Sequence, residues 1–185
     1  GSWTQAVPMM RSEVKSPVTM TFSTPETVLT LDQGISVSVD TATALTNISA
    51  ADVPVVFVGF GANAPEQDWD DYGDIDLTDK LVIYLVNDPD FAAQPDEPVA
   101  GRFGNRRMTY YGRWAYKFEE AARRGAFGAL VIHETEAAGY DWSVAAAGAG
   151  ENVSLANKDP KALPVKLQGW LHNDAAHKLL ATAGH

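Results

Sequence analysis

Residues 53–91 read VPVVFVGFGANAPEQDWDDYGDIDLTDKLVIYLVNDPDF, an apolar strand, a turn crowded with acids and a second apolar strand in immediate succession. Val53 to Phe60 and Leu81 to Val86 are almost uninterrupted apolar runs. Such runs suit strands covered on both faces, and so the centre of a sheet, with Gly59 and Gly61 ending the first. Working outward, YYGRWAYKFEEAARRG at 110–125 changes to a helical period and runs directly into a third apolar strand, AFGALVIHE at 126–134. Tyr111, Trp114 or Ala115, Phe118 and Ala122 fall on one helical face, with Lys117, Glu120 and Arg124 elsewhere. Arg123 and Arg124 oppose the helix dipole in the last turn, and Gly125 suits a left-handed C-cap. The order β-β-α-β, with a short link out of the helix, favours a third strand returning beside the second. This unit is a scaffold with a rim of loops and no evident catalytic machinery.

The flanks are simpler. From Thr4 to Asp40, Val18, Met20 and Phe22 alternate with Thr19, Thr21 and Ser23, and Ile35, Val37 and Val39 alternate with Ser36, Ser38 and Asp40, the pattern of strands buried on one face. Gly139 to Asp159 is rich in Ala and Gly and reads as loop with at most one short strand. Pro164 to Leu171 alternates again, and Asn173 is placed to cap a helix from Asp174 to about Ala183, closed by Gly184.

At 185 residues and 45% apolar composition the chain suits one domain with a real core. Its 24 acidic residues against 14 basic ones give a formal charge of −10, which repels a polyanion and argues against nucleic acid as a partner. No apolar run approaches the ~20 residues of a membrane span. The absence of cysteine excludes disulfides, thiolate catalysis and sulfur-based zinc sites. Asn47-Ile48-Ser49 and Asn152-Val153-Ser154 match the glycosylation triplet at a density close to chance. The abrupt start at Gly1-Ser2 and stop at Gly184-His185 lead us to expect an excised piece of a longer protein, Gly1 being a cloning remnant.

Three features invite chemistry. His133-Glu134-Thr135-Glu136 follows a buried strand, but Ala137 stands where the second histidine of a zinc helix is required. Asp68, Asp70, Gly73, Asp74, Asp76 and Asp79 fall at positions 1, 3, 6, 7, 9 and 12 of an EF-hand loop, which makes Asp68, Asp70, Asp74 and Asp76 calcium candidates. Tyr72 at position 5, Asp79 in place of Glu and flanking strands instead of helices favour a solvated acidic turn. The insertion from Asp88 to Arg113 turns from acidic to basic and aromatic, and loops beyond about 12–15 residues are usually functional or disordered. Arg102, Arg106, Arg107, Tyr110, Tyr111 and Arg113 therefore form the candidate contact surface, since Arg pairs bidentately with carboxylates and Tyr offers rigid contact area. The bland alternative is that Phe103, Met108, Tyr110 and Tyr111 cover the start of the helix. His172 and His177 do not share a helical face. The tryptophans at 3, 69, 114, 142 and 170 read as core or loop anchors in preference to ligand platforms.

Taken together, VPVVFVGFG at 53–61, the APE-x3-DDY run from Ala64 to Tyr72, the D-x3-K from Asp76 to Lys80, and Lys117 through Gly125-Ala126 and Gly128-Ala129 resemble the protease-associated (PA) domain. The resemblance is to the PA domain inserted in secreted bacterial zinc aminopeptidases related to glutamate carboxypeptidase and the transferrin receptor. It covers about Val53 to Gly184, so residues 53–185 form the PA domain and residues 1–52 are lead-in strands on the same core. It implies an α+β fold, a β-sandwich or open barrel flanked by two to three helices, without chemistry of its own. It further implies an exported parent enzyme whose catalytic domain holds two zinc ions and is the partner of this domain, with peptide as substrate. The paired-metal ligand set of that catalytic domain is absent from this sequence, so the expected role is an accessory one, covering the active site and shaping peptide access. A free-standing peptide-, glycan- or calcium-binding module is the alternative reading. A small hydrolase using His133 ranks behind both, because no nucleophile or complete metal set accompanies it.

Overall fold

A computed structural model of the chain describes residues 3–15, 18–156 and 163–184. Its elements in order are β1 (Met9–Glu13), β2 (Thr19–Ser23), β3 (Val28–Asp32), β4 (Val37–Asp40), β5 (Val55–Phe57), β6 (Asn63–Ala64), a 3-10 turn at Pro65–Gln67, β7 (Trp69–Asp70) and β8 (Leu81–Leu85). There follow α1 (Trp114–Arg123), β9 (Gly128–His133), α2 (Thr135–Ala138), α3 (Trp142–Ala147), β10 (Glu151–Leu155), β11 (Leu167–His172) and α4 (Asn173–Thr182). Strands and helices are mixed along the chain, an α+β composition.

The five central strands lie in the order β4-β11-β9-β8-β5. β5, β8, β9 and β11 run parallel, and β4 closes the far edge antiparallel to β11. Because side chains alternate along a strand, each strand feeds two cores. Val82, Tyr84, Ala129 and Val131 pack with Phe118 and Ala121 of α1 on one face. Leu81, Ile83, Leu130 and Ile132 pack with Ala175 and Ala176 of α4 on the other, where Phe22 and Leu31 of the β2–β3 ribbon add cover. A third ribbon pairs β1 with β10, and a short one pairs β6 with β7.

Four readings of the sequence need correction. β5 is an edge strand of three residues with Val55 42% and Phe57 43% exposed, whereas the apolar run at 53–60 placed it centrally. Composition cannot separate an edge from a centre when only one neighbour strand is present. On β4, Ile35 is exposed before the strand begins and Ser38 is buried beside Val37 and Val39, because Ser38 Oγ donates 2.8 Å to the carbonyl of Ala145 on α3. In the segment 139–159, α3 occupies what looked like loop, and residues 157–159 lie outside the described ones. The last helix begins one residue early, with His172 as its N-cap: Nδ1 accepts from the Asp174 amide at 3.2 Å.

The buried stripe of α1 differs as well. Tyr116, Lys117, Phe118, Glu120 and Ala121 are inside, while Trp114 is largely exposed. Lys117 Nζ donates to the carbonyls of Phe60 and Asn87, which follow β5 and β8 at the carboxyl edge of the parallel sheet. Burial holds this ammonium near a pKa of about 7, against the opposing pull of Asp88 and Asp71. Glu120 is held by Arg123 and Arg124 at 2.6 and 2.8 Å. Lys117 and Glu120, placed off the apolar face by the helical period, are therefore structural. Gly125 does adopt the left-handed conformation, φ 73°, that ends α1.

Candidate functional site

The insertion between β8 and α1 contains no helix or strand and is nevertheless ordered from within. Asp88 is fully buried and accepts from the Thr109 amide at 2.6 Å and the Thr109 hydroxyl at 2.7 Å. Buried Asp90 accepts from the amides of Phe103 and Asn105 at 2.9 and 3.1 Å. Asn87 Nδ2 donates 2.8 Å to the carbonyl of Ala137, which ties the loop to α2. Gly104 leaves no room for a side chain, since a Cβ there would lie 1.7 Å from the Arg107 carbonyl oxygen. Two acidic side chains, which the sequence shows only as polar loop residues, thus fold a long irregular segment around their carboxylates.

The six candidate contact residues divide under this geometry. Arg102 donates to the carbonyls of Pro98 and Gln67 at 2.9 and 3.1 Å and lies over Trp69. Arg106 pairs with Glu136 of α2 and covers Phe91. The Tyr110 hydroxyl donates to Glu119, and the Tyr111 hydroxyl donates to Glu66 at 2.6 Å, which pushes the Tyr111 phenol up to about 12. Tyr111 sits edge-on to Phe103 and Tyr116, so it does cover the start of α1. Arg107 and Arg113 are exposed, and their guanidinium groups have no partner among the described residues. These two are the cations the platform presents outward.

The acidic turn spends its carboxylates locally. Asp70 accepts from the Tyr72 amide and Asp76 from the Thr78 amide, each at 2.9 Å, while Asp68 is a left-handed residue ending the 3-10 turn and Asp74 is exposed. Asp71, which the sequence did not single out, accepts from the Ala62 amide and from Trp69 Nε1. Among the described residues, no group of three or more His, Asp or Glu side chains is placed to hold a metal ion. Glu134 caps α2 by accepting from the Glu136 and Ala137 amides, at 3.1 and 2.6 Å. His133 ends β9 as a buried ring among Tyr140, Trp142 and Trp170, with centroids 5.3 to 5.6 Å away, and burial lowers its pKa.

A second region emerges only in three dimensions. Beside the β4–β11 edge, α1, α3 and β10 border an open cleft of about 270 Å³ lined by Asp40, Asn152, Gln168, Tyr140, Trp114 and Trp170, among others. Asn152 Nδ2 donates 3.0 Å to Asp40 Oδ1, and Gln168, paired with Asp40 across the β4–β11 ladder, holds the same carboxylate. Burial outweighs both bonds and pushes the Asp40 carboxyl up to about 6. Neither Asp40 nor Gln168 stands out in the sequence, since each reads as one polar position of an alternating strand. Trp170 packs against the core, as expected of an anchor, and with Trp114 it also forms a wall of this cleft.

Comparison of the chain with protein-family models, with curated proteins and with solved structures found no match.

Proposed function

We propose that the chain is a non-catalytic, PA-type accessory domain of an exported zinc-dependent peptidase, docked on the catalytic domain and shaping the entry of peptide. The observation that carries this reading is the outer face of the β1–β10 ribbon. Met9, Val153 and Leu155 cluster at one end of that face, beside the ion-paired Arg11, Glu13 and Glu151, and are 55%, 58% and 64% exposed. A two-stranded ribbon is marginal by itself, and an uncovered apolar cluster on it marks a docking surface. The β2–β3 ribbon covers one face of the central sheet, which leaves the outer face of the β1–β10 ribbon for a neighbouring domain. The rigid insertion, with Arg107 and Arg113 outward, supplies a second contact surface of the kind that Arg and Tyr favour. Zinc chemistry would reside in the partner domain, with no ligand drawn from this one.

The test uses the chain alone and the full-length gene product. The chain alone should show no aminopeptidase turnover with or without added zinc. In the full-length protein, Met9→Asp with Leu155→Asp should loosen interdomain protection in hydrogen exchange and alter KM for peptide. Zinc-dependent hydrolysis that co-purifies with the chain and disappears in His133→Ala would overturn the reading. So would a full-length product without a second domain.

A further inference from the structure

The cleft beside β4 has features that the accessory role does not call for. Asp40 has no cation within ion-pair reach among the described residues, although it lies in aromatic surroundings and is held by Asn152 and Gln168. The other carboxylate of the lining, Glu151, is already paired with Arg11 at 2.8 Å. Asn152 carries a further acceptor, Oδ1, which is buried and has no hydrogen-bond partner. Trp114, Phe118, Tyr140 and Trp170 supply aromatic rings around these acceptors. The walls are held in place: Tyr140 and Trp170 pack on the His133 ring, and Trp114 packs on Phe118 at 5.7 Å.

We propose that the cleft binds the arginine side chain of a peptide, with Asp40 as counter-ion and the rings of Trp114 and Trp170 as walls. A guanidinium carries five donors on a planar fork, so one group can serve the free valences of the Asp40 carboxylate. Its faces stack on indole, and cation–π attraction strengthens where water is excluded. The volume of this open cleft suits a side chain and falls short of the range usual for larger ligands. A cation entering here offsets the burial that disfavours the ionised carboxylate of Asp40. The net charge of −10 draws basic peptides toward the surface. A sugar could also stack on these rings, but it would leave the carboxylate without a counter-charge. The inference is independent of the docked-domain reading, because it concerns the chain by itself.

The experiment titrates the isolated chain with the peptide Gly-Arg-Gly-amide and with the same peptide carrying neutral citrulline, followed by tryptophan fluorescence and by amide chemical shifts. Saturable binding of the arginine peptide and none of the citrulline peptide is expected, with shifts centred on β4, β10 and β11. Asp40→Asn should weaken the arginine peptide by roughly tenfold or more while the unfolding transition stays cooperative. Trp114→Ala removes one wall from the exposed start of α1, and it should weaken binding in the same direction with the fold intact. Equal binding of the two peptides, absence of saturable binding at millimolar peptide, or an Asp40→Asn variant that binds like the parent would each overturn the proposal. Binding of chito-oligosaccharide, lost in Trp114→Ala and indifferent to Asp40→Asn, would assign the cleft to sugars and overturn it too.

Discussion

The insertion holds two buried acids and the cleft a half-buried one, and they are treated in opposite ways. Asp88 has a donor on each carboxylate oxygen, the amide and the hydroxyl of Thr109, and Asp90 gathers the amides of Phe103 and Asn105 on one oxygen, so that the loop is organised around the two side chains. Asp40 receives only two side-chain amides against an aromatic wall, and its ionised form is disfavoured. A carboxylate supplied with donors orders a structure, while one that is under-supplied favours its proton or an incoming cation. That difference separates the part of the domain built for rigidity from the part suited to a ligand.

Removing an acid from each region should therefore shift stability in opposite directions. The largest effect is expected from Asp88→Ala, which leaves the Thr109 amide and hydroxyl without their acceptor at a fully buried site. A loss of about 3 kcal/mol is expected, together with faster hydrogen exchange across residues 88–112 and little change at β4 and β11. Uniform loss of protection over the whole chain would mean that the insertion is not a separate unit of order.

Asp40→Asn should do the reverse and stabilise the chain at neutral pH by about 2 kcal/mol, a two-unit shift being worth slightly more before the altered amide bonds are counted. The sign follows from the raised carboxyl, which moves from 3.8 to about 6. Well below pH 3.8 both folded and unfolded states hold the proton, and variant and parent should match. Between about pH 4 and 6 the folded state keeps a proton that the unfolded state has lost, so the parent loses stability as pH rises through this window. Above it the penalty is complete and the gap between variant and parent is constant. Denaturant midpoints at several pH values measure this gap, and a gap that widened toward acid would contradict the assignment.

The smallest effects belong to the exposed cations. Arg106→Ala breaks a surface pair with Glu136 and should change stability by less than about 0.5 kcal/mol. Arg107→Ala with Arg113→Ala should leave the melting temperature of the chain unchanged, yet weaken docking or substrate use in the full-length protein. Unaltered interdomain protection and unaltered kinetics in that double variant would reduce the platform to ordinary surface.

The strands at 81–86 and 126–132, the α1 segment, its Gly125 cap and the final helix were all legible, because hydrophobic period and cap residues are local signals. The register of α1 was not. Lys117 and Glu120 count as polar in any periodicity, and only the open carbonyls after β5 and β8, with Arg123 and Arg124 alongside, make their burial tolerable. Likewise the six Arg and Tyr residues of 102–113 stood out by composition, whereas their division into tethered and free groups depends on Glu66, Glu119 and Glu136, 9 to 45 positions away.

By itself the sequence determined an acidic chain of mixed strands and helices with a β-β-α-β centre, a tight acidic turn and an Arg- and Tyr-rich insertion, since composition and short-range pattern act within a few residues. Tertiary structure alone decided that β5 lies at an edge, that the insertion is rigid and that Asp40 meets Asn152 and Gln168 in one aromatic cleft. Those outcomes depend on which distant segments pair, and the β4–β11 ladder brings together residues 128 positions apart at Asp40 and Gln168. Whether a carboxylate is stabilised or left wanting a cation depends on the neighbours delivered by that pairing, and no local stretch of chain carries that information.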